Sequence, residues 1–306
     1  MIRPLVLACF VLLLNQGCQP AEKSMDRSKS INDAIDPLLA DYPDATVAVF
    51  IDDPATNTQV SVNGDRLFHA ASTMKIPVLI ELYRRVKSGD VSLEDSVRVE
   101  NRFRSIVDGS PFSIADDSDD EIYHRLGQQM SFRDLAYQMI TVSSNLATNI
   151  LIERLNADSV QATSERLGTE NMQTLRGVED LKAYDLGRNN RATARDLGTL
   201  LTALRDGKAV TETADSAMID MLLDQHFNDM IPAGLPPDVR VAHKTGSITR
   251  IHHDAAIIYP PDSPAYVLVV MTEGIEEDSV SSVLGSLLSE RVLGVLRGTP
   301  ISAESK

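Results

Sequence analysis

Strand-forming runs at both ends of a chain, with helix-forming runs between them, leave few folds open. Residues 46–51 (TVAVFI) and 58–62 (TQVSV) are short and rich in β-branched residues, and Asp52-Asp53-Pro54-Ala55-Thr56-Asn57 makes a turn between them. After Pro236-Pro237 come 239–248, 255–259 and 266–272, again short, apolar and separated by turn residues. Between these ends the apolar spacing is helical. Ser131-Phe132-Arg133-Asp134 has the form of a capping box, with Leu135, Met139 and Ile140 at helical spacing and an expected end near Thr141. Val142-Ser143-Ser144-Asn145 connects it to a second helix over 146–155. Thr193-Ala194-Arg195-Asp196 caps a third, with Leu197, Leu200, Leu201 and Leu204 as its buried face and Gly207 as its stop. Residues 279–297 read as a terminal amphipathic helix. This order implies an α/β (α+β) fold, one layer built from both chain ends with an all-helical block inserted.

The stretch His69-Ala70-Ala71-Ser72-Thr73-Met74-Lys75-Ile76-Pro77 opens a helix expected over 72–87, with Gly89 as its stop. Residues three apart share a helix face, so Ser72 and Lys75 present a hydroxyl and an amine to one place. A serine attacks only when something takes its proton, and a lysine can do so when burial beside other cations keeps it neutral. At a helix start, free backbone N–H groups stabilise developing negative charge. Taken alone, the pattern fits equally a helix start with a solvent lysine. Ser143-x-Asn145 and Lys244-Thr245-Gly246 follow in order. Ser30-Ile31-Asn32, Ser61-Val62-Asn63 and Lys87-Ser88-Gly89 match the same short patterns, but they lie in a tether, a strand end and a helix end. Ser143 instead lies on a helix connection and Lys244 in a strand, where Gly246 permits close approach of a substrate backbone.

Over residues 31–300 the chain resembles the class A β-lactamase-like serine hydrolases. Four stretches carry the likeness: 72–80, 139–149, 241–246, and 190–197 as the helix start after an omega loop. The resemblance implies a β-lactamase/transpeptidase-like fold, an antiparallel sheet flanked by helices. It also implies roles. Ser72 attacks a carbonyl and becomes acylated, Lys75 takes or relays its proton, and Ser143 passes a proton to the leaving nitrogen. Asn145 holds Lys75 and the substrate amide, and Lys244 and Thr245 hold a substrate carboxylate. The N–H groups of Ser72 and Ser247 form the oxyanion hole. Glu179, on the omega loop, is the candidate deacylation base; Asp180 is its competitor, and an exposed loop acid is the bland reading. Arg250 is a second candidate for the carboxylate, with a solvent arginine the alternative. His253 and Asp254 are expected as a buried hydrogen-bonded pair, and His243 points away from Lys244 by strand alternation. No cofactor or metal is implied.

Three departures bear on antibiotic hydrolysis. Ser144 replaces the aspartate usual in the second motif. Ala183 stands where the family usually has an asparagine that helps position the water. The polar stretch 102–123 is long. The expected activity is β-lactam hydrolysis of the class A type, hence antibiotic resistance. A D-alanyl-D-alanine peptidase acting on peptidoglycan stems shares the motifs, and a non-catalytic sensor of β-lactams or cell-wall fragments is the alternative outside catalysis.

A net charge of −15 argues against nucleic acid, which demands a basic surface. The acidic run Asp116-Asp117-Ser118-Asp119-Asp120-Glu121 is expected as a solvated loop, since it lacks the glycine turn of a calcium site. At the N-terminus, Arg3 and ten apolar residues over 5–14 read as an export signal, too short to span a bilayer. Leu14-Asn15-Gln16-Gly17-Cys18 resembles the lipobox of bacterial lipoproteins, with its leucine displaced by one, so ordinary signal cleavage stays open. Cys9 and Cys18 are the only cysteines, which leaves the mature fold no disulfide. The expected organisation is a signal over 1–18, a tether over 19–30, an α/β part from 31–85 plus 222–306, and a helical part over 86–221. The last two form one catalytic unit. The expected product is a monomer in the periplasm or cell envelope, touching the membrane only through a lipid at Cys18.

Overall fold

A computed structural model describes the backbone of residues 20–298 and the side chains of 26–298. Cys9, Cys18 and the signal lie outside the described residues. Five strands form one antiparallel sheet: β1 (Thr46–Asp53), β2 (Thr58–Val62), β3 (Arg240–Ile248), β4 (Ile251–Tyr259) and β5 (Tyr266–Glu273), in the order β2-β1-β5-β4-β3. Both chain ends therefore build one layer, as the strand runs imply. β4 begins four residues earlier than its apolar run. Its first residues include His252, His253 and Asp254, which are buried and polar, so the apolar pattern hides them.

Alternation along β1 divides the core. Val47, Val49 and Ile51 face helix α1 (Pro20–Ala40) and the terminal helix, with Ile31, Ile35, Leu284 and Leu288. Ala48 and Phe50 face the inserted block. The segment expected as a tether is helical from Pro20. Ile31 and Ile35 anchor it to the sheet, and Arg27 donates to the Leu296 carbonyl at 2.7 Å.

Helix α2 (Lys75–Ser88) leads into the inserted block, which holds α3 (Phe132–Thr141), α4 (Asn145–Leu155), α5 (Ala157–Arg166), α6 (Ala194–Arg205) and α7 (Glu212–Leu223). The terminal helix is α8 (Asp278–Arg297). The N-caps form as read: Ser131 Oγ accepts from Asp134 N–H, and Thr193 Oγ1 from Asp196 N–H. Gly89 ends α2 at φ 80°, a conformation glycine adopts without strain. The block is helical in the main, and it also carries two short ribbons, Ser96–Arg98 with Gln129–Ser131 and Phe103–Arg104 with Pro111–Phe112. The acidic run is a solvated loop only in part, since Asp116, Ser118, Asp120 and Glu121 are exposed and two of its acids are used structurally. Asp119 is buried and caps the turn Asp120–Tyr123, and Asp117 accepts from the N–H groups of Asn145 and Leu146 at 2.8 and 2.9 Å. Four-residue spacing cannot show this, because the partners lie on another element.

Candidate active site

Ser72 lies in a 3₁₀ turn, Ala71–Met74, ahead of α2, rather than in the α-helix itself. The turn is held from two sides. Ala71 adopts φ 44°, a left-handed conformation that costs an alanine about 1–2 kcal/mol. His69 Nδ1 accepts the Ala71 N–H at 3.0 Å, and the Asn190 carbonyl accepts Ala70 N–H. Burial, then the charges of Arg176 and Arg191, push His69 down to about 4, so the ring is neutral and free to accept. On the other side β3 lies against the turn. A Cβ on Gly246 would stand 2.8 Å from Ser72 N and 2.9 Å from Thr73 N. The glycine thus admits the backbone of Ser72 and Thr73, and it also lines the cleft beside Ser72.

Lys75 is wholly buried, and burial lowers it to about 7 against the opposing charges of Asp117 and Glu179. Its amine donates to the Ser143 carbonyl at 2.6 Å, to Ser143 Oγ at 3.1 Å and to Asn145 Oδ1 at 3.0 Å. Ser143 sits at φ 59°, which places its carbonyl and hydroxyl together. Lys244, also wholly buried, donates to Ser143 Oγ at 3.0 Å and to the Thr245 carbonyl at 2.9 Å. Burial first, and the charge of Lys75 second, hold Lys244 well below the usual lysine range. With both amines charged, Ser143 Oγ accepts from two donors and its own hydrogen is left for a group in the cleft; with Lys75 neutral, the lone pair of that amine can accept the hydrogen instead. Two amines of lowered basicity beside one hydroxyl make a route for a proton.

Asn145 Nδ2 donates to Glu179 Oε1 at 3.0 Å, which ties the omega-loop acid to the second motif. Glu179 sits at φ 59°, and Ala115 N–H donates to its Oε2 at 3.0 Å. Asp180 is turned elsewhere. It accepts from Ser105 Oγ, Ile106 N–H and Ala183 N–H, and it is 3% exposed. Asn190 pins the loop by accepting from the N–H groups of Leu175 and Arg176. Ala183 is fully buried.

Ser72 lies between two clefts. One, of about 420 Å³, is lined by Ser143, Asn145, Thr245, Gly246 and Ser247; the other, of about 380 Å³, by Glu179, Asn145, Arg176, Tyr184 and Ser247. A hollow of about 820 Å³ beside Pro236, Pro260 and Leu293 holds none of the motif residues. Arg250 is not with the others. At φ 61° on the β3–β4 turn, it pairs with Glu276 at 3.2 Å and donates to the Gly274 carbonyl. His253 and Asp254 do not pair, because neighbours on a strand face opposite ways. His253 bonds the His69 carbonyl and Thr272 N–H, while Asp254 pairs with His243 at 2.9 Å. His243 faces away from the site, as alternation implies. Asp117, Asp229, His252 and Asp278 line the first cleft without any signal in the three motifs.

A family model described as "Beta-lactamase enzyme family" matches residues 29–293. A beta-lactamase of Bacillus licheniformis is 26% identical over 266 residues, covering 85% of this chain and 81% of that protein. Among solved structures, PBP-A superposes with a TM-score of 0.76 at 26% identity, covering 89% of this chain and 96% of PBP-A. A beta-lactamase from Sphaerobacter thermophilus superposes with a TM-score of 0.73 at 26% identity, covering 89% and 98%.

Proposed function

Because the chain belongs to the beta-lactamase enzyme family, we propose that it opens the amide of a β-lactam through an acyl-enzyme at Ser72. Neutral Lys75 takes the Ser72 proton, directly or through Ser143, as Ser72 Oγ attacks the carbonyl carbon. The oxyanion develops between the N–H groups of Ser72 and Ser247. The C–N bond then breaks, and the nitrogen takes the Ser143 hydroxyl proton, which Lys75 replaces with the one it took from Ser72. Glu179 takes a proton from the water that attacks the ester carbonyl, the bond from that carbon to Ser72 Oγ breaks, and the proton passes from Glu179 to Ser72 Oγ. Lys244 and Thr245 hold the substrate carboxylate. The observation that carries this reading is the unbroken hydrogen-bonded line from Lys244 through Ser143, Lys75 and Asn145 to Glu179.

The test is turnover of a chromogenic cephalosporin by wild type, Ser72→Ala and Glu179→Gln, with intact mass spectrometry. Sustained wild-type turnover, none in Ser72→Ala, and a trapped adduct in Glu179→Gln are expected. A wild-type burst that stops at a stable adduct would instead indicate a D-alanyl-D-alanine peptidase. The buried Ala183 favours that second reading, since it offers no amide to position a water. We further propose two parts, 31–85 with 222–306 and 86–221, acting as one monomeric catalytic unit exported to the cell envelope and lipid-anchored at Cys18. Cys18→Ser should move the protein from the membrane to the soluble fraction; unchanged membrane association would rule the anchor out.

A further inference from the structure

The first cleft at Ser72 has a one-sided lining. Its carboxylates are Asp116, Asp117, Asp229 and Asp278, and neither arginine nor lysine is among the residues that face it. Asp229 and Asp278 are exposed, so their charges act on whatever enters. Lys244 lies behind, buried and bonded to Ser143 and the Thr245 carbonyl at the motif end of the cleft, where the proposed reaction places the core carboxylate. Arg250 is paired with Glu276 outside the cleft.

His252 adds an independent feature. It stands opposite Ser247 in the β3–β4 register, is 6% exposed, and faces the same cleft. Ser281 Oγ gives its hydrogen to the Asp278 carbonyl at 2.9 Å. At 2.9 Å from His252 Nδ1 it therefore accepts, and Nδ1 carries the ring hydrogen. Nε2 has no hydrogen-bond partner among the described residues, and in the uncharged ring it is an acceptor. One oxygen of each flanking acid is already used, Asp229 Oδ2 by Ser282 Oγ and Asp278 Oδ2 by Ser247 Oγ. The other oxygens have no hydrogen-bond partner among the described residues. The side chains at this end of the cleft thus present acceptors and negative charge, and the Ser247 hydroxyl is already given to Asp278.

We propose that Asp229, His252 and Asp278 form a subsite for a cationic substituent of the substrate. The subsite rests on the acyl-enzyme reading only in that the cation is carried by the amide that Ser72 attacks. Neutral or anionic substituents at this position bind less well, because two carboxylates repel or fail to reward them. The effect is of the size of exposed charge pairs, roughly three- to ten-fold, and it shrinks at high salt.

Two cephalosporins with the same thienylacetamido side chain serve as probes, one with a 3-acetoxymethyl and one with a 3-pyridiniomethyl group. Their core carboxylate is common and cancels in the comparison. Calorimetric binding to Ser72→Ala reads the subsite without chemistry. The pyridinium compound is expected to bind roughly three- to ten-fold more tightly. That preference should vanish in Ser72→Ala carrying Asp229→Asn and Asp278→Asn, with far-UV circular dichroism showing the fold retained. Equal affinities, a preference that survives both substitutions, or binding of neither compound would overturn the proposal. Turnover by the wild type is scored separately. No turnover and no adduct would overturn the hydrolase reading alone, and a persisting binding preference would still support the subsite.

Discussion

Asp117 holds the N-terminus of α4 with both carboxylate oxygens, and Tyr123 OH donates to one of them at 3.1 Å. That carboxylate comes to the helix start from another loop, and Ser144 itself caps Ala147 N–H. The motif residues are legible in the sequence because each pattern is local. Asp117, Asp229 and His252 are not, because only the tertiary fold brings them to the cleft. Lys75 gives the pH dependence at this scale. Its folded value of about 7 lies below 10.5. Below about 7 the amine is charged in folded and unfolded chains alike, and its burial counts fully against the fold. Between about 7 and 10.5 the unfolded chain binds more protons, so this group's contribution to stability rises with pH. Acylation, which uses the neutral amine, should rise with pH to a plateau with a midpoint near 7. In Glu179→Gln a charge that favours the ammonium is gone, and the midpoint should fall. Stopped-flow acylation rates across pH check both; a flat profile would remove Lys75 as the proton acceptor.

At the scale of elements, the boundary that sequence periodicity misplaced is the functional one. A helix from Ser72 is expected, and the chain instead makes a 3₁₀ turn to Met74 and begins its α-helix at Lys75. Contacts with His69, Asn190 and Gly246 impose that turn; Asn190 and Gly246 are distant in the chain, and the bond to His69 is a polar turn contact that apolar periodicity does not register. Gly246→Ala should push β3 and the turn apart. Overpacking of this kind costs about 1–3 kcal/mol, and a shift of about 1 Å at the nucleophile lowers the rate by roughly 100-fold. Thermal unfolding and pre-steady-state acylation measure the two effects. Normal acylation in Gly246→Ala would show that the contact does not position Ser72.

For the whole molecule, the layer built from both ends was legible because its strands carry β-branched, alternating or buried apolar runs. The ribbons at 96–98 with 129–131 and 103–104 with 111–112 were not, because two or three residues carry no period. One apolar core joins Phe50, Val269 and Met271 of the sheet and Leu79 of α2 to Leu135 and Leu197 of the inserted block. Neither part can shed the other without exposing it. Urea unfolding should therefore be a single transition, with far-UV circular dichroism and tyrosine fluorescence coincident. Separate transitions would mean that the two parts fold independently.

The seating of Ser72 against Gly246 also sets when activity can begin. Ser72 is made in the first quarter of the chain, and the strand that completes its surroundings in the last. A polypeptide not yet made past residue 248 carries the serine without the strand that seats it. Under the proposed reaction such a chain is chemically silent, and its chemistry waits on the last quarter of synthesis.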